Sequence, residues 1–197
     1  MAAGGEIVTE DETRSLTARW RTSWGGDPIA HELRDRHADR WVRFHSLPKS
    51  KRYAETEEEY EVVLDRHHRV LSELGPGDLN YVIAGYFEDA RVGGSHDPRT
   101  HPGAVPWLRI EPGDRTFFDI PLTLYVSETS LDRTTLDPLL RRVADDELGY
   151  VIIAPLDLRW LYHPYDGGAD VIAPTAGDRD ILKNRHANWM SAHPAGL

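Results

Sequence analysis

The spacing of hydrophobic residues along this chain changes several times, and each change marks an element. From Thr56 to Gly75, Tyr60, Val63, Leu64, His67, Leu71 and Leu74 recur three or four residues apart, the spacing of one helical face. Thr56 with Glu59 forms a capping box at its start, and Gly75-Pro76-Gly77 ends it. Thr9 with Glu12 gives the same signal for a helix over 10–20, with Leu16 and Trp20 on one side. Asp27 as N-cap and Pro28 at the first helical position predict a second helix carrying Ile29, Leu33, His37 and Trp41. Leu136, Leu139, Leu140 and Val143 mark a helix in LDPLLRRVADDE, and Leu182, His186, Trp189 and His193 mark a last one.

Elsewhere the period shortens to two or is lost. Val42 and Phe44 alternate with Arg43 and His45, which predicts a short extended segment. LNYVIAGYF, WLRI, FFDIPLTLYVSE, YVIIAPLDLRWLY and DVIA are apolar, β-branched runs of strand length. EPGD reads as a turn, Pro121 suggests an edge strand or a bend, and Pro155 breaks or bulges its run. EDARVGGSHDPRTHPGAVP has no period and predicts a long surface loop. The pattern is an α+β fold: a mostly antiparallel sheet with N-terminal helices and two further helices packed on it. The 197 residues suit one domain, with 1–40 a helical appendage and 41–197 the main body.

Asp166-Gly167 inside WLYHPYDGGAD is a two-residue hairpin signal, for which a type I′ turn needs positive φ at both positions. That register opposes Tyr165 to Gly168, His163 to Asp170 and Leu161 to Ile172. It brings the His163 imidazole across from the Asp170 carboxylate. The pair either pins the hairpin or belongs to a site. The other dense stretch is RFHSLPKSKRY, where Arg43, Lys49, Lys51 and Arg52 stand with no acid among them. Beside the helix start at Thr56 they could hold a carboxylate or phosphate, or simply pair with Glu55, Glu57, Glu58 and Glu61.

Composition narrows the classes. A net charge of −10 argues against general nucleic-acid binding and suits a basic protein partner. The absence of cysteine removes disulfides, thiolate nucleophiles and Cys-ligated zinc. The small, acidic start lacks signal-peptide character and no run approaches a membrane span, so a cytoplasmic protein is expected. Of ten histidines, His67-His68 face different ways, His186 and His193 stand seven apart, and His96-Asp97 lacks companions. No metal or cofactor is expected, and GxGxxG, P-loop, HExxH and GxSxG are absent.

The blocks FHSLPxSKRY at 44–53, ETEEEY, LLRRVAD at 139–145, WLYHPYDGGADVI at 160–172 and the terminal HPAGL resemble a family of bacterial proteins of unknown function, common in actinomycetes and their relatives. The resemblance covers most of the chain from about residue 41 onward. It implies a bacterial cytoplasmic protein and, by analogy only, a small accessory or immunity-type role. It carries no catalytic assignment.

Two functions follow as expectations. The first is a non-enzymatic binding protein for a basic partner, with Trp160 and Tyr165 as anchors. The second is an enzyme acting on a small anion. Arg43, Lys51, Arg52, Tyr53 and Asp166 would then shape the ligand site, with His45 or His163 as acid or base and Asp170 orienting. Convergence of Arg43, His45, Arg52, His163 and Asp170 in one concave pocket would favour the second, and their scatter over the surface would count against it.

Overall fold

The computed structural model describes residues 8–89, 96–113 and 118–190. Helix α1 spans Glu10–Ser23, α2 Ala30–Arg36, α3 Glu57–Glu73, α4 Arg133–Ala144 and α5 Ala176–Arg185. The strands are β1 Trp41–His45, β2 Asn80–Phe87, β3 Val105–Ile110, β4 Leu122–Thr129, β5 Ile152–Pro155, β6 Leu161–Tyr165 and β7 Gly168–Ile172. They form one sheet in the order β1-β7-β6-β5-β2-β4-β3, every pairing antiparallel. The chain is therefore an α+β protein.

Both faces of the sheet are covered. Val42 and Phe44 of β1, Val82 and Ala84 of β2 and Ile153 of β5 point to one side. There they pack on Leu64, Val70 and Leu71 of α3, on Leu136, Leu139, Leu140 and Val143 of α4, and on Leu182 of α5. Ile83, Leu124, Ile152 and Ile172 point to the other side, against Leu16 and Trp20 of α1 and Leu33 of α2. Helix α3 and the two later helices, α4 and α5, thus cover the first face. The helices of the first forty residues close the second.

Helix starts follow the capping signals where a side chain supplies the cap. Thr9, Thr56, Asp132 and Thr175 each accept a hydrogen bond from the N–H three residues on. Helix α2 departs from its signal. Gly25 and Gly26 are left-handed and the Ile29 N–H donates to Asp27. The Asp27-Pro28 pair is therefore spent on a turn, and Ile29, 1% exposed, becomes the N-cap. His37 ends α2, so Trp41 begins β1 instead of continuing the helix. Pro121 precedes β4, which lies between β2 and β3 and is not an edge. The last helix stops at Arg185; a 3-10 turn over Ala187–Trp189 follows, and His193 and HPAGL lie outside the described residues. So do 90–95 of the expected loop, the end of the EPGD turn and Phe117.

His101, expected on a surface loop, is 2% exposed; its Nε2–H donates to the Val82 carbonyl at 3.1 Å. His67 is as deeply buried and shares a 2.6 Å hydrogen bond with the Tyr162 hydroxyl. Burial lowers His67 to about 3 and His101 to about 4, so both stay neutral in the fold. An unfolded histidine titrates near 6.5. Below that pH the unfolded chain binds the extra protons, and the stability held above it is lost as pH falls towards 4.

Two outcomes follow. Chemical denaturation at about pH 7 and about pH 5 will show a loss of roughly 2 kcal/mol for each buried histidine, with a shallower slope in His67→Gln. Leu16→Ala on α1 will cost about 2–5 kcal/mol, as does Leu140→Ala on α4, whereas a loosely attached appendage predicts almost nothing.

Candidate functional site

The two dense sequence stretches meet at one edge of the sheet. β1 lies against β7, with Arg43 opposite Asp170 and His45 opposite Gly168. β7 continues the ladder to β6, with His163 opposite Asp170 and Tyr165 opposite Gly168. Directly opposed residues share a face, so Arg43, Asp170 and His163 form one row on the α2 side and His45 and Tyr165 the next. The hairpin register is the expected one, but the turn is not. Neither Asp166 nor Gly167 is left-handed, so it is not type I′. The turn is held from outside instead: the Ser46 N–H donates to the Gly167 carbonyl, and Arg52 grips Asp166. Gly168 is required by close approach, since a Cβ there would lie 2.2 Å from the Phe44 carbonyl oxygen.

Arg43 dominates this edge. Its Nε and one Nη donate to the two Asp170 oxygens at 2.7 and 3.1 Å. Its guanidinium lies over the rings of Trp41 and Tyr165, 5.4 and 5.3 Å from their centroids. Burial alone would make Arg43 less basic; the hydrogen bond and charge of Asp170 reverse this and raise it. Because Arg43 occupies both Asp170 oxygens, the expected imidazole–carboxylate contact gives way to another. The His163 Nδ1–H donates to the Val151 carbonyl at 2.6 Å. Burial lowers His163, with Asp170 partly opposing.

A pocket of about 250 Å³ opens beside this row, lined by Arg43, His45, Ser50, Arg52, Tyr165, Asp166 and Gly167. Arg52 donates to Asp166 at 2.5 Å and lies over the ring of Tyr53, which is 43% exposed. The Asp166 carboxylate also raises the Tyr53 hydroxyl through a hydrogen bond. Burial lowers His45, and the charge of Arg43 lowers it further. Its Nε2 is sealed from solvent without a partner. Burial likewise raises the Tyr165 hydroxyl.

Other expected residues lie elsewhere. Lys51 donates to Glu55 and Glu59 at 2.9 and 2.7 Å, which is the plain ion pairing, and does not line the pocket. Trp160 is fully buried in the first core and so cannot be a surface anchor. His163 and Asp170 stand behind the pocket wall. Sequence reasoning missed Ser50 and the ring of Trp41. Ser50 reaches the pocket because Lys49 and Ser50 are both left-handed, each with φ 57, a conformation with no residue signal. The spacing of Trp41 from His37 suits a helix, but Trp41 begins β1 and its ring meets Arg43. Among the described residues, no group of three or more His, Asp or Glu could hold a metal, and no helix is long and apolar enough to cross a membrane.

The fold and this edge define an α+β protein with a polar pocket where its first strand docks on its last hairpin. The family model of a domain of unknown function, DUF3885, matches residues 29–194, and the chain belongs to that family. Helix α1 lies outside the matched span. No curated protein and no solved structure matches the chain.

Truncation of Asp170 to Ala will leave Arg43 buried without its partner and cost about 3–5 kcal/mol. The double variant Arg43→Met with Asp170→Ala will recover part of that loss in chemical denaturation, as coupling through one pair requires.

Proposed function

We propose that this is a bacterial, cytoplasmic binding protein whose pocket holds a small anionic group between Arg43 and Arg52. The observation that supports it most is convergence: two guanidinium groups from one stretch and the hairpin tip of another, a hundred residues on, line one cavity. Each arginine is oriented by a carboxylate, Asp170 or Asp166, and keeps an Nη edge beyond that bond.

Binding is favoured over catalysis because neither histidine offers a free, solvent-reached nitrogen paired with a carboxylate. The Nε2 of His45 is sealed, and His163 is bound to Val151 outside the lining. The reading as a binder of a basic protein loses the anchor at Trp160 and keeps Tyr165 and the exposed Tyr53.

Thermal unfolding with added acetate, sulfate or phosphate tests the proposal. An anion present at about ten times its Kd contributes about 1.4 kcal/mol. For a chain of this size that raises Tm by about 3–6 °C. The rise will vanish in Arg52→Ala, whose side chain is 63% exposed and whose loss leaves the core intact. A flat response in the wild type, or an equal rise in the variant, would sink the assignment.

A further inference from the structure

The same pocket indicates which anion it takes, an inference that rests on the reading above. We infer that the ligand is a monocarboxylate and not a phosphate dianion. The first argument is charge. Arg43 and Arg52 face the cavity, but Asp166 lines it too and Asp170 lies directly behind Arg43. The four formal charges cancel, and the chain around them carries −10. Beyond them, Arg66 acts on His45 and Asp146 on Arg52 with opposite signs, and Lys51 is turned to Glu55 and Glu59. The helix that follows Arg52 in the chain, α3, holds Glu57, Glu58 and Glu59 in its first turn, which cancels the attraction its start could offer a dianion. A site of this kind offers directed N–H groups without net positive charge. It can satisfy a single negative charge and leaves a second one uncompensated.

The second argument is shape. Asp170 takes the Nε side of Arg43 and Asp166 takes the Nε of Arg52. What remains on each guanidinium is the end-on edge, two parallel N–H groups in one plane, the fork that matches the two oxygens of a carboxylate. The guanidinium of Arg43 is further held by its contacts with the rings of Trp41 and Tyr165. Ser50 and Tyr165 belong to the same lining, and their hydroxyls are the polar groups they could offer beside the carboxylate. Such a carboxylate can belong to a free small acid or to the C-terminus of a peptide.

Calorimetric titration of the full chain with sodium lactate, tri-alanine, tri-alanine amide and inorganic phosphate separates these cases. At about pH 8 the phosphate is mostly dianionic. The expected result is binding of lactate or of tri-alanine, no binding of the amide, and phosphate weaker by about tenfold or more. Arg52→Gln will weaken the carboxylate by about tenfold or more, the scale of a charge-assisted hydrogen bond. Tighter binding of tri-alanine than of lactate would make a chain terminus the source, and the reverse order a free acid. Phosphate binding as tightly as the carboxylates would overturn the monocarboxylate inference and leave the anion site standing. Equal binding of the amide and the acid would overturn it as well. No binding of any probe at millimolar concentration would remove both.

Discussion

The bidentate pair between Arg43 and Asp170 is the constraint on which this edge of the molecule depends. Both side chains are largely buried, at 14% and 5% exposure, and a buried guanidinium is tolerated only when its charge and its N–H groups are met. Meeting them fixes three things together. It sets the register of β1 on β7, because a slip of one residue would send Arg43 into the apolar face of Val42 and Phe44. It occupies the carboxylate that His163 would otherwise take, which sends that imidazole to the Val151 carbonyl. It also orients the guanidinium, so that the remaining edge is held by two aromatic rings and not by a flexible stem.

The position of the pocket follows from the sheet. Central strands β5 and β2 are buried on both faces, and their residues are almost all apolar. Only at an edge can a row of polar side chains occur without stranding charges in the core. β1 supplies such an edge, with apolar residues facing α5 and polar ones facing α2. The carbonyl of His45, at the end of this strand, is taken by Arg66 of α3, so part of the open backbone is already satisfied. Helix α2 packs against β7 behind the site.

Periodicity carried most of the fold into the sequence. The stripe from Tyr60 to Leu74, the alternation of Val42 with Phe44 and the spacing in LDPLLRRVADDE are local patterns, and each formed the element it predicted. The hairpin register was legible because an Asp-Gly pair allows few two-residue loops, yet the turn type was not, because Arg52 and Ser46 hold the turn from outside. The misassigned elements share one cause. Ile29, Trp41 and Trp160 take their roles from partners distant in sequence, and an aromatic residue near a turn looks the same whether it ends in the core or at the surface. The convergence of residues 43–52 with 165–167 depends on strand order, which no local pattern encodes.

Strand order has a further consequence, in time. The residues that join across the site, Arg43 and Asp170, are 127 positions apart in the chain. Closing a loop of that size comes late in folding, after the local helices and the hairpin have formed. During synthesis β1 leaves the ribosome early and waits, its arginine still in water, until the hairpin that completes it has emerged. Until then there is no pocket, and the anion proposed for it would meet the site only on finished molecules. Held between Arg43 and the hairpin tip, such an anion would span both ends of that long loop, and opening the sheet at this edge would require its release first.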